Sequence, residues 1–421
     1  MTTVPSSRQC PVSAPQQVDL IDPDLYRGDG AHEAWRRLRE HAPVSWQPVR
    51  DIGYWSIVGH AEACRVLRDH DTFTSEEGTL LNLLGKGDPA GGRQMAVTDP
   101  PAHARLRGPL QQALSIKTVE NDRERIRRTV VALLDPLADG GTFDFATAMA
   151  ALPMGVIGAM MALPEQDWPR LIRLTHACIA ADDPEFQLAA GPQATLRAAH
   201  RELFAYFQDI VTQRRHSPGD DLISVLLTKE FDGRPLSPGE IVSNCYSLLL
   251  GATVTTAQPP NAAMVALAGT PVFDDWAAHP ELLTSGVEES LRWASPTQHF
   301  MRHTTRDVEI RGVRIPAGDP VVVWLASANR DERVFADPDI FDIRRTPNKH
   351  IAFGVGAHYC IGHTIARVTL RVFFAELLAR FTDFALAGDP LRLRSNIIAG
   401  YVHLPITARP RQLPRTESPR R

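Results

Sequence analysis

Apolar residues recurring at helical spacing set most of the pattern along this chain. They predict helices over Ala31 to His41, His60 to Asp69, His103 to Ala113, Asn121 to Leu137, Asp167 to Ala180, Gln193 to Arg215, Pro238 to Ala257, Gly286 to Trp293 and Thr364 to Arg380. Strand-like runs are few and short: Tyr54 to Val58, Val308 to Ile310 and Val321 to Leu325, the last entered through a turn at Pro316, Ala317 and Gly318. The expected fold class is mostly α with a minor β-sheet region. No internal repeat and no Pro/Gly/Ser linker divides the chain. One domain is therefore expected over 21–410, between a lead-in at 1–20 and a basic, proline-rich tail at 411–421, both expected to be disordered.

One stretch breaks the amphipathic rule. No charged residue occurs from Ile241 to Phe273, a run long enough to cross a membrane by length alone. Its content argues otherwise, because Ser243, Asn244, Ser247, Thr253, Thr255, Thr256, Gln258 and Asn261 would be costly against lipid, and Pro259 with Pro260 would interrupt the backbone hydrogen bonds. A helix buried at the centre of a soluble protein is expected, with a break in GATVTTAQPP.

Composition narrows the class. A length of 421 residues suits two or three average domains or one large helical domain around a cofactor, and 43% hydrophobic with 22% charged residues is that of a globular protein. The formal net charge of -4 gives no reason to expect nucleic acid as a partner. The five cysteines, Cys10, Cys64, Cys178, Cys245 and Cys360, are odd in number and scattered, which points to a reducing, cytoplasmic setting. The first seventeen residues carry neither a basic n-region nor an apolar core, so neither a signal peptide nor an anchor is expected there.

Candidate chemistry concentrates at Phe353 to Gly362, FGVGAHYCIG, just before the amphipathic segment HTIARVTLRVFFAELLARF. Gly354, Gly356 and Gly362 permit tight turns and close approach of backbone to a large ligand. A cysteine at a helix start faces unpaired N–H groups and the positive end of the dipole, which is expected to lower its pKa and suit it to bind metal. A zinc site of His358, Cys360 and His363 would crowd three ligands into six residues with no second cluster following. Covalent c-type haem attachment would need CxxCH, which the chain lacks. A purely structural cysteine leaves the glycines and His358 without a role.

The decapeptide resembles the haem-ligand loop of the cytochrome P450 family, FGxGxHxCxG, at every fixed position. The resemblance runs from about Asp22 to about Pro410 and implies a single-domain fold with haem b buried between the central helix and the Cys360 loop with its following helix. It implies Cys360 as axial thiolate, Phe353 beside the sulfur and His358 facing a propionate; such a ligand pushes electron density to the iron and favours O–O cleavage. Glu289 and Arg292 in EESLRWASP, with Arg345, resemble the family's structural ExxR network. His103 and Arg107 in DPPAHARLR and Arg302 in MRHTTRDVEI match its propionate partners.

In the central helix the resemblance places Gly251 and Ala252 at small-residue positions beside dioxygen and Thr255, next to Thr256, at the alcohol position, while Val254 stands where an acid is usual. A proton-carrying acid typically contributes roughly a hundred- to ten-thousand-fold, so its loss must be met by Thr255, Thr256 and water, by a polar group of the substrate, or by a reaction other than hydroxylation. Leu80, Leu81, Leu83 and Leu84, with Val254, Gln298 and His299, are the candidate substrate contacts. The resemblance implies a monooxygenase that hydroxylates or epoxidises a medium-sized, largely apolar molecule in bacterial natural-product biosynthesis. The alternatives are a P450-type oxidase performing aryl coupling or desaturation, and a haem-binding sensor without turnover. Electrons would come from NAD(P)H through ferredoxin reductase and ferredoxin, docking near Arg367 and Arg371, to a monomer without membrane or nucleic-acid partners. The near absence of lysine, found only at Lys86, Lys117, Lys229 and Lys349, fits an arginine-rich bacterial composition.

Overall fold

The computed structural model describes residues 18–228, 230–231 and 233–412. The expected lead-in lies outside them up to residue 17, and the expected tail from 413 onward. Val18 to Leu20 belong to the packed structure rather than to the lead-in: Leu20 is buried, and its carbonyl accepts the Tyr26 hydroxyl at 2.7 Å.

Helices dominate the order. They are α1 (Gly30–His41), α2 (His60–Arg68), α3 (Ala102–Ala113), α4 (Ile116–Asn121), α5 (Arg123–Leu134), α6 (Phe145–Met160), α7 (Trp168–Ile179), α8 (Pro192–His216), α9 (Leu222–Leu227), α10 (Pro238–Thr253), α11 (Gln258–Leu267), α12 (Val272–Ala278), α13 (Leu283–Ala294), α14 (Leu325–Ala328) and α15 (His363–Arg380). Each predicted helix is present within a few residues except the longest apolar one, which is two. Helix α6 escaped prediction because it is apolar nearly all round, so its sequence carries no helical stripe.

The main sheet has five strands in the order Val44–Val49, Ile52–Ile57, Pro320–Trp324, His299–Thr304 and Phe73–Thr74. Pro320–Trp324 runs parallel to Ile52–Ile57 and antiparallel to His299–Thr304, with Val321 opposite Arg302 and Trp324 opposite His299. The strand at His299–Thr304 is disguised in sequence by two histidines and an arginine. Its register nonetheless carries Arg302 into the protein, where it is 4% exposed. The largest core gathers α15 with α5, α6, α11 and α13 around Phe373, Phe374, Trp276 and Leu377. No helix among the described residues is long and apolar enough to cross a membrane.

The uncharged run divides at the expected place for a different reason. Helix α10 opens on a capping box, in which the Ser237 hydroxyl accepts from the Glu240 N–H while the Glu240 carboxylate accepts from the Ser237 N–H, with Pro238 in the first turn. It ends at Thr253, four residues before the sequence suggests. Pro259 and Pro260 do not break a helix from within. They stand in the first turn of α11, where N–H groups have no intrahelical acceptor to lose.

Candidate haem site

The Cys360 loop is closed by its own backbone. Gly354 and Gly356 have φ of +68° and +81°, the Gly354 N–H donates to the Ile351 carbonyl at 2.8 Å, and the Cys360 N–H donates to the Phe353 carbonyl at 2.8 Å. A Cβ at Gly356 would lie 2.6 Å from the Leu67 carbonyl oxygen, so the end of α2 packs on the turn where only glycine fits. Gly362 is different. Its φ is -83°, and a Cβ there would meet the Cys360 sulfur at an ordinary 3.8 Å, so its backbone does not demand glycine.

Beneath the loop, Phe353 stacks under the Arg367 guanidinium at 4.5 Å. Arg367 donates to both oxygens of Glu288 at 2.7 and 2.8 Å and to the Tyr359 hydroxyl at 3.1 Å, and His350 meets Glu288 at 3.0 Å. Burial raises the Glu288 carboxyl, but bonds from Arg367 and His350 outweigh it and hold the group at about 2. Arg367, expected on a docking surface, is thus committed to the proximal network. Sequence gave no sign of this, since Glu288 is one more acid on a charged helix.

The expected lowering of the Cys360 pKa is not found. Burial pushes the thiol up; the N–H groups of Gly362 and His363, with Arg107 and Arg367, pull it down without prevailing. The helix end is too weak to offset desolvation by itself.

Across the loop, His358 packs against His103 with ring centroids 4.4 Å apart and planes tilted by 44°, and contacts Ser75 at 3.1 Å and Asp99 at 3.4 Å. Burial raises the Asp99 carboxyl, yet bonds from His358, Thr74 and Ser75 bring it down to about 2. His103 is 3% exposed with no partner for its Nε2, and burial, with His358 and Arg107, lowers it to about 4. Burial likewise lowers Arg302 to about 10, and among the described residues its side chain donates only to the Met301 carbonyl. Arg107 donates to Gln111 at 3.3 Å and is lowered by burial. His103, Arg107 and Arg302 therefore form a desolvated, under-paired cationic and donor group on the Cys360 side, with His358 beside them. This suits a ligand that brings carboxylates, as haem does. Among the described residues no three His, Cys, Asp or Glu side chains assemble a group that could hold a metal ion.

Glu289 and Arg292 are fully buried and joined by two bonds of 2.7 Å. Arg345 meets both Glu289 oxygens at 3.1 and 3.2 Å, Asn348 adds a bond at 3.0 Å, and Arg292 donates to the carbonyls of Asn329, Pro338 and Ile340. Three segments around the Cys360 loop are pinned by this cluster.

On the α10 side the ladder gives way to a turn at 254–257. The Thr253 hydroxyl donates to Leu249 and the Thr255 hydroxyl to Gly251, each at 2.8 Å. A Cβ at Gly251 would meet nothing within 4 Å, so the helix leaves open space there; Ala252 is half-buried. Val254 is 3% exposed and packs with Ile179, Ala180, Leu393, Ile397 and Ile398, against which Leu80 also lies.

Several expected substrate contacts sit elsewhere. Leu81 and Leu84, with Leu83 against them, pack into a separate core of Trp35, Tyr26, Met301 and Trp324, because the short helical turn Leu81–Leu83 points them inward. His299 is wholly buried, accepting the Leu81 N–H at 3.1 Å and donating to the Asn396 carbonyl at 2.9 Å. The Gln298 amide donates to the Ser395 carbonyl at 2.8 Å. Both side chains are held by backbone and serve the fold; Leu80 and Val254 remain together.

A family model described as Cytochrome P450 matches residues 274–391. The chain is 36% identical to Cytochrome P450 NovI of Streptomyces niveus, covering 93% of this chain and 96% of that one, and 33% identical to linalool 8-monooxygenase of Pseudomonas putida, covering 94% and 100%. The crystal structure of P450 OxyD, involved in the biosynthesis of vancomycin-type antibiotics, superposes with a TM-score of 0.83 at 36% identity over 94% of this chain and 100% of that one.

Proposed function

The chain belongs to the cytochrome P450 family of haem-thiolate monooxygenases, and on that premise we propose that it hydroxylates or epoxidises a medium-sized, largely apolar small molecule in bacterial natural-product biosynthesis. The observation that carries the reading is Cys360, presented by a glycine-closed loop beside buried, under-paired Arg302 and His103. Haem b, when bound, supplies the activation of dioxygen. Cys360 would hold its iron, and His103, Arg107, Arg302 and His358 its carboxylates.

Thr255 is the proton-handling group. Its hydroxyl rests on the Gly251 carbonyl at 2.8 Å and can turn to a water in the open space beside Gly251, with Thr256 next in the turn. Val254 cannot relay a proton. Leu80, Val254 and Ile397 offer the substrate an apolar wall. The names of the linalool monooxygenase and of the antibiotic-pathway structure support a natural-product substrate. Ferredoxin, reduced from NAD(P)H by a ferredoxin reductase, would deliver electrons to a cytoplasmic monomer.

A second reading, oxidation by aryl coupling or desaturation, is favoured by Val254 alone. The test is to screen terpenoid, polyketide and peptide-derived compounds for a spin-state shift of the Soret band and to weigh the product of turnover. A gain of one oxygen supports insertion, and a loss of two hydrogens supports the second reading. A compound that shifts the band without driving NADPH consumption through a ferredoxin system supports a haem-based sensor instead.

A further inference from the structure

A cleft of about 520 Å³ opens between α1, α11, α13 and the strand Tyr401–His403, and none of Cys360, His103, Arg107, Arg302 or Thr255 lines it. Its floor is apolar and low. Ala262, Val265 and Ala266 share one face of α11 at helical spacing, while Ala263, Met264 and Leu267 on the other side pack into the main core.

The walls are aromatic and cationic. Arg330 stacks on Trp293 at 4.0 Å and pairs with Asp339 at 2.8 Å; Arg392 lies over Tyr401 at 5.9 Å and pairs with Asp29 at 2.7 Å. Arg39 enters from α1, donating to Glu332 and Ser327. The carboxylates of the cleft are already engaged: Asp29 and Asp339 as just described, and Glu33 by Arg37. Arg36 has no ion pair or hydrogen bond among the described residues and is exposed in the same cleft.

Two polar atoms here also lack partners. Trp35 is fully buried with no acceptor for its Nε1–H, and His32 Nδ1 is buried without a partner. Burial, with the charges of Arg330, Arg392 and Arg39, keeps the His32 imidazole well below its ordinary range.

We propose that this cleft is a second small-molecule site, selective for a carboxylate carried on a flat apolar body. The carboxylate meets Arg36, whose guanidinium no carboxylate of the cleft engages, and the body lies along the Ala262 and Ala266 floor beneath the aromatic walls. A cation finds no free carboxylate there, and a neutral ligand leaves Arg36 without a counter-charge. The site stands apart from the monooxygenase reading, since no residue of the haem cluster contributes to it.

The test uses haem-loaded enzyme, with 2-naphthoate as probe and 2-naphthol as its uncharged control, followed by calorimetry while the Soret band is recorded. The expected result is one saturable naphthoate site that leaves the Soret band in place. Binding should be weaker by about tenfold for naphthol and for Arg36→Ala, the worth of one charge-assisted contact, and lost in Ala266→Phe, which fills the floor. Arg36 is exposed and unbonded, so its variant reports on binding even if the filled variant folds poorly. No naphthoate binding at millimolar concentration, equal binding of naphthol, an affinity unchanged by Arg36→Ala, or a Soret shift that tracks occupancy overturns the proposal.

Discussion

Glu289 on α13 and Thr255 in the turn after α10 stand in opposite circumstances. Around Glu289 the carboxylate is fully engaged: Arg292, Arg345, Asn348 and the Asp342 N–H converge on its two buried oxygens. Around Thr255 the helix has stopped, the hydroxyl rests on one carbonyl, and Gly251 borders open space. A buried carboxylate held by several fixed partners rigidifies a structure, whereas backbone released from its helical ladder is freer to rearrange. The chain thus fixes the Glu289 cluster through many bonds and leaves the turn at Thr255 with few.

The largest effect that would sharpen this contrast is expected for Glu289→Ala. It leaves Arg292 buried and unpaired, a loss of about 3–5 kcal/mol, and should be read as a collapse of the denaturation midpoint and of haem incorporation. Next comes acid. His299 is lowered by burial from 6.5 to about 4, so the folded state holds fewer protons than the unfolded one. Its contribution is complete above pH 6.5 and drains away as pH falls towards 4, by up to about 3 kcal/mol. His299→Gln, which keeps a donor and an acceptor, should flatten the midpoint against pH across that window; an unchanged slope would remove His299 from the account.

Smaller again is Val254→Asp. The new carboxyl would lie among Ile179, Ala180, Ile397 and Ile398, costing about 1–3 kcal/mol for an unsatisfied buried polar group. A destabilised enzyme with no gain in coupling is expected, and a better coupled one would show that the apolar roof tolerates an acid after all. The smallest change in stability, under about 1 kcal/mol, belongs to Thr255→Ala. It should nevertheless raise peroxide release per NADPH consumed, and unchanged coupling would take Thr255 out of the proton path.

The residues around Cys360 were legible because their chemistry is local: a decapeptide with fixed glycines, an acid and a base three apart, a His and an Arg four apart. What sequence could not reveal depends on long-range packing. Glu288 drew no notice in sequence because only the fold brings Arg367 of α15 onto it, and Leu81 and Leu84 looked like pocket lining until the Leu81–Leu83 turn faced them into the Trp35 core. The two prolines marked the break in the central helix correctly but suggested the wrong cause, since proline in sequence does not tell whether it interrupts one helix or starts the next. Helix α6 and the strand at His299–Thr304 were hidden by an apolar surface on all sides and by polar residues in a buried strand.

The central claim is that Cys360 is the haem ligand, and the most direct measurement is the absorption spectrum of haem-supplied wild-type protein beside Cys360→Ser. The account predicts a thiolate-type Soret band in the wild type that is lost or displaced in the variant while its circular dichroism stays the same. A wild type without a Soret band, or a variant with the same spectrum, would contradict it.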